Sequence, residues 1–159
     1  MDKDKQRWHA HQAALYLDHV KGMGAMIKAL SWSIEELEAK AEGVGAMDYS
    51  KDQVQTSPTD EAMPKNVDKL IQQKQIRERK KELYEEELAA VTRAFERMSN
   101  ITYSAMLEMH YVGGASWMDV ADELGYSKAG VMKNRQKALA MFYDVMPPSQ
   151  RFVDVPKAL

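Results

Sequence analysis

The chain has 159 residues, 45% hydrophobic and 29% charged, which fits a globular, helix-rich protein and argues against intrinsic disorder. Its formal net charge of -2 excludes a global positive field, so any nucleic-acid affinity has to come from a local basic face. It has no cysteine, which rules out disulfides and thiolate zinc sites and makes a reducing, cytoplasmic setting the expectation.

No apolar run is long enough to cross a bilayer, so no membrane is expected as a partner. The charged start MDKDKQRWHAHQ lacks the apolar core of a secretory leader. The 12 methionines read as filler for irregular helical cores.

Spacing predicts a first long helix over about 8–42. Ala13, Tyr16, Val20, Met23, Ile27, Leu30, Ile34, Leu37 and Ala41 recur in steps of three and four, the a/d seam of a coiled coil. Gly22 and Gly24 interrupt it at about 1 kcal/mol each relative to Ala, which predicts a kink or break near Lys21. Gly22-Met23-Gly24 is not a phosphate loop, because it lies inside a helical pattern with no Gly-Lys-Ser/Thr after it. Gly43 and Gly45 are expected to end the helix. A mobile linker over about 43–66 follows, with Pro58, Pro64 and a helical turn near Thr59 to Met63.

A second long helix is predicted over about 65–98, with Asn66 as a candidate cap. Val67, Leu70, Ile71, Ile76 and Leu83 lead into the heptad run Tyr84, Leu88, Val91, Phe95 and Met98. Its charged middle, Arg77 to Lys81 and then Glu82 and Glu85 to Glu87, reads as a solvated face. The alternative is a basic patch touching phosphate. Residues 1–98 are thus expected to form a coiled-coil-like hairpin, with seams buried against each other or paired between two chains.

Residues 99–146 read as a helix-turn-helix domain. A supporting helix is expected from about Tyr103 to Val112, with Met106, Leu107 and Tyr111 apolar, stopped by Gly113-Gly114. Ser116 can cap the next helix, with Asp119 completing an acidic capping box, and Val120, Ala121 and Leu124 form its apolar stripe. Gly125 can take positive φ and let the chain turn sharply, and Ser127 can cap a recognition helix over 127–146. Small Ala121, then Gly125, then apolar Val131 is the spacing of a helix-turn-helix. An ordinary helical hairpin with a glycine cap is the plainer alternative. Pro147-Pro148 end the last helix. The tail, 147–159, has no helical period, and is expected to be disordered or to dock through Phe152, Val153 and Val155.

The last helix should turn Val131, Ala138, Leu139 and Phe142 inward. Its outer face carries Lys128, Ala129, Met132, Lys133 and Gln136, which suit guanine acceptors, adenine edges and thymine methyls. Arg135 and Lys137 are expected at phosphates. Ser116, Trp117 and Ser127 complete the candidate DNA-binding set, at helix N-termini able to take an anion. The preceding helix is acidic through Asp119, Asp122 and Glu123, and is expected to face away from DNA. Asn134 stands where an apolar core residue is usual, which predicts looser packing or cover by Arg135.

Nothing in the residues supports catalysis, a metal or a cofactor. His9 and His11 point to different sides of a helix, and His19 and His110 have no second ligand at metal spacing. The Glu85 to Glu87 run is a charged face, not an acid/base pair.

The segment LEMHYVGGASWMDVADELGYSKAGVMKNRQKALAMF resembles the helix-turn-helix of sigma-factor region four. With SIEELEAKA, VQTSPTDEAM and VDKLI, the whole layout resembles the phage-encoded ArpU/RinA-type transcription regulators. Asn134 and the acidic balance depart from a strongly basic DNA binder. The resemblance implies an all-α fold and sequence-specific control of phage or prophage late genes, with double-stranded DNA as partner and host RNA polymerase as a further one. A homodimer is expected, since such proteins often bind two half-sites. The rivals are a small terminase subunit that marks DNA for packaging as a large ring, and a protein-interaction module contacting RNA polymerase.

Overall fold

A computed structural model describes residues 2–48 and 57–151, with side chains over 2–42 and 66–151. The chain is all-α. Among the described residues five helices appear in order: α1 Lys3–Asp48, α2 Ser57–Glu96, α3 Ile101–Tyr111, α4 Trp117–Leu124 and α5 Lys128–Val145. A 3-10 turn, Pro148–Gln150, follows. Among the described residues there is no strand, and no helix is long and apolar enough to cross a membrane.

Both long helices run further than the sequence suggests. α1 starts at Lys3 and continues unbroken through Gly22, Gly24, Gly43 and Gly45. Each glycine costs only about 1 kcal/mol in a helix interior, which neighbouring contacts can offset. α2 starts at Ser57, with Pro58 in its first turn, where no intrahelical donor is needed. The segment expected as a 43–66 linker is therefore helical at both ends, and Asn66 lies inside α2 instead of capping it. The middle of that linker, and the tail residues Phe152, Val153 and Val155, lie outside the described residues.

The chain divides into two compact units. One joins residues 1–22 to 85–159; the other is Met23–Tyr84. In the second unit the two helices run antiparallel. Lys74 Nζ lies 2.7 Å from Glu38 Oε1, and Tyr84 packs beside Gly24. A Cβ built on Gly24 would sit 3.1 Å from Tyr84 Oη, whereas one on Gly22 would meet nothing within 4 Å. Gly22→Ala is therefore expected to raise stability by about 0.5–1 kcal/mol, the helix-propensity difference. Gly24→Ala should gain nothing, because its methyl displaces the tyrosine. Urea unfolding midpoints of the two variants check this.

The first unit holds the C-terminal helices. α1 contributes Ala13, Tyr16, Leu17 and Val20 to its core, and α2 contributes Val91, Ala94, Phe95 and Met98. They meet Met106, Leu107 and Tyr111 of α3, Val120 and Ala121 of α4, and Val131, Ala138 and Phe142 of α5. Phe142 is fully buried, its ring centroid 5.2 Å from Phe95 and 6.4 Å from Tyr16. Tyr16 donates to Glu87 Oε2 at 2.8 Å, an antiparallel tie between α1 and α2 in this unit. Burial and the Glu87 carboxylate both hold the Tyr16 hydroxyl protonated well above its usual range.

The end of α5 is closed by side chains. Arg97 donates to Val145 O at 2.8 Å, and Arg151 donates to Asp144 O at 2.7 Å and Met146 O at 2.9 Å. These carbonyls would otherwise lack partners at a helix C-terminus. Two guanidiniums thus fix the far end of the helix whose near end carries the candidate site.

Candidate nucleic-acid interface

The turn between α4 and α5 is built by short polar side chains. Ser116 Oγ accepts from Asp119 N at 3.1 Å, and Ser116 N donates to Asp119 Oδ2 at 3.4 Å, a reciprocal capping box. Gly125 ends α4 at φ 73°, ψ 27°, the left-handed region that a residue with a Cβ enters only with strain. Ser127 Oγ then accepts from Gly130 N at 3.0 Å and caps α5. Val120, Ala121 and Val131 are buried where the two helices meet.

This geometry leaves one side of α5 open. Lys128, Met132 and Gln136 stand in one row at i, i+4 spacing, and Ala129, Lys133 and Lys137 in the adjacent row. All six are exposed. Val131, Ala138, Leu139 and Phe142 point the other way and are buried. Ser116 and Ser127 are exposed too. Their hydroxyls accept cap bonds, and each keeps an O–H able to donate to an outside acceptor. On α4, Asp119, Asp122 and Glu123 are also exposed.

Trp117 and Arg135, both expected at DNA, are half-buried and engaged within the protein. The Trp117 ring stacks on His110 at 4.0 Å between centroids, and the Arg135 guanidinium lies 5.1 Å from the Trp117 centroid, a cation–π placement. Arg135 also lies beside the Tyr111 hydroxyl and acts on it through its charge and a side-chain hydrogen bond. Burial holds the Tyr111 hydroxyl protonated above its usual range.

Asn134 is explained by a partner distant in sequence. Its Oδ1 accepts from Tyr103 Oη at 3.1 Å, and its Nδ2 donates to Gly130 O at 2.9 Å. The amide thus ties α3 to the first turn of α5, so packing there is closed by a polar bridge. Arg135 does not cover the position; it lies on Trp117.

His110 braces the back of this site. Its Nδ1 lies 2.7 Å from Ala115 O, and since a carbonyl only accepts, Nδ1 carries the proton. Burial is the main cause that holds its pKa below 6.5; the Ala115 bond opposes this, Lys21 and Arg135 add to it, and Asp18 opposes it. His9, stacked on Tyr143 at 4.0 Å, is lowered as well, again mainly by burial, with Asp144 opposing and Lys5 adding. The unfolded imidazoles take their protons first. Stability is therefore complete above pH 6.5 and is lost as pH falls from there through the folded-state values. Urea midpoints are expected to drop as pH falls below about 6.5, and His110→Asn, which keeps a donor near Nδ1, should flatten that drop. An unchanged slope would contradict the assignment.

No protein family, curated protein or solved structure matches this chain. Among the described residues, no group of three or more histidines and carboxylates could hold a metal ion. Missing from the expected set are Arg7, Ala10, His11 and Ala14 of α1, which line a groove with Met132, Arg135, Gln136 and Leu139 of α5. The one signal for them in the sequence was a row at steps of three and four with alanines in it, which permits close helix approach.

Proposed function

We propose that the chain is a sequence-specific DNA-binding transcriptional regulator whose α5 lies in the major groove. The observation that carries this reading is the pair of exposed rows, Lys128, Met132, Gln136 and Ala129, Lys133, Lys137, on a helix capped and braced at both ends. Six side chains of types able to donate to or touch base edges and phosphates share one free face, which a helix in the major groove requires. The short α4, crossing at a left-handed glycine, is the brace such a helix uses. The resemblance of the sequence layout to ArpU/RinA-type regulators supports late-gene control in a phage or prophage as the setting, with host RNA polymerase as a second partner.

Met23–Tyr84 serves as the dimerisation arm. Met26, Trp32, Val67, Ile71, Ile76 and Leu83 are all exposed in that unit, Trp32 at 66%. A two-helix hairpin has a single mutual seam, so these side chains flank it without a partner helix. A second copy would bury them and place two recognition helices on two half-sites. Ile76→Glu with Leu83→Glu is expected to convert a dimer to a monomer in sedimentation velocity runs. A wild-type monomer would remove the dimer, and a large ring would favour DNA packaging over gene control.

Selection of binding sites from random duplex DNA by the purified protein tests the reading as a whole. Enrichment of a short motif in two spaced half-sites supports it. Recovery of no motif, with binding that ignores salt, would favour a module that docks on a protein through the exposed acidic residues of α4.

A further inference from the structure

The groove between the start of α1 and α5 has an apolar floor, with Ala10 and Leu139 buried, and polar walls formed by Arg7, His11, Arg135 and Gln136. Among the described residues, none that lines it is acidic. Its mouth is shared with the exposed face of α5, because Met132 and Gln136 belong to both. Arg135 is held in place over Trp117 and beside the Tyr111 hydroxyl.

We propose that this groove is a phosphate subsite, in which Arg7 and Arg135, with His11 at the edge, grip a backbone phosphate of the duplex read by α5. The inference rests on the DNA-binding reading above. Walls of phosphate bound the major groove on both sides, with one charge per about 1.7 Å of duplex axis. Gln136 lies two turns along α5 from Lys128, at about 1.5 Å per residue, so a helix reading bases from Lys128 onward brings this end toward such a wall. Guanidinium groups match phosphate oxygens in a bidentate fork. An Arg135 fixed by stacking loses little freedom on binding, and the apolar floor strengthens the charge pairing. α1 thereby becomes part of the DNA-contacting surface, setting how far α5 penetrates.

The test is fluorescence anisotropy of a random-sequence duplex three helical turns long, titrated at a series of salt concentrations. Arg7→Ala is expected to weaken binding and to reduce the slope of log affinity against log salt by about 0.9, one phosphate contact. Arg7→Lys, which keeps the charge, should restore most of the slope, and His11→Ala should weaken binding less. An exposed arginine is a mild site for substitution, and an unchanged urea midpoint shows that the variants fold. If Arg7→Ala leaves affinity and slope unchanged while Lys133→Ala weakens binding, the subsite is overturned and the DNA reading stands. Tighter binding by Arg7→Ala would show that α1 obstructs the duplex, and would also overturn it. If the wild-type protein does not bind the duplex, both ideas fall together.

Discussion

Phe142→Ala is expected to lower the unfolding free energy by about 3–5 kcal/mol, the range for a fully buried phenylalanine that leaves a cavity. The ring is inaccessible and packs among Phe95 of α2, Tyr16 of α1 and the rest of α5. The loss is a large share of the roughly 5–15 kcal/mol by which whole domains are stable. Phe142→Leu keeps more volume and should cost roughly 1–1.5 kcal/mol. Both are read from urea unfolding curves. Since Phe142 points away from the exposed rows of α5, DNA affinity of the folded variant should be kept. A loss under about 1 kcal/mol for the alanine variant would mean that the three helices do not converge there.

Removing the three lysines Lys128, Lys133 and Lys137 together is expected to abolish most DNA affinity at physiological salt. The salt slope should fall by about 0.9 for each lysine that meets a phosphate. All three are exposed, so stability should hardly change. Single substitutions sort the roles. Lys133→Ala or Gln136→Ala should cost about 1–3 kcal/mol on the selected site if the side chain makes a bidentate base contact. An equal loss on random DNA would assign that side chain to the backbone. Lys137→Ala should weaken selected and random duplexes alike, as a phosphate contact does.

The parts of the fold legible in the sequence are those fixed by short-range chemistry. Ser116 and Asp119, Gly125 and Ser127 act within three or four residues of themselves, so their caps and turn can be read from neighbours alone. Parts of the long seams were legible for the same reason, whereas Val67, Ile71, Ile76 and Leu83, expected on the apolar face of the second helix, are exposed. Ala13, Tyr16, Val20 and Ile34 are buried on one spacing, and Val91, Phe95 and Met98 on another.

What was not legible depends on residues far apart in the chain. Asn134 looked like a flaw because its partner, Tyr103, lies 31 positions away. Arg135 has the charge and spacing of a phosphate contact, and no neighbour in the sequence shows that its guanidinium rests on Trp117, 18 residues earlier. The placing of Arg7 and His11 beside α5 joins the two ends of the chain, and no local pattern encodes it. The glycines at 43 and 45 misled in the opposite sense. A glycine stops a helix only when it takes the left-handed form, as Gly125 does; otherwise it merely weakens the helix.

The most direct test is a map of backbone amide shifts of the labelled protein as a selected DNA duplex is added. The account predicts that the largest changes fall on Lys128, Ala129, Met132, Lys133, Gln136 and Lys137, with Asp122 and Glu123 of α4 little affected. Changes confined to α4 or to Met23–Tyr84, or none at saturating duplex, would contradict it.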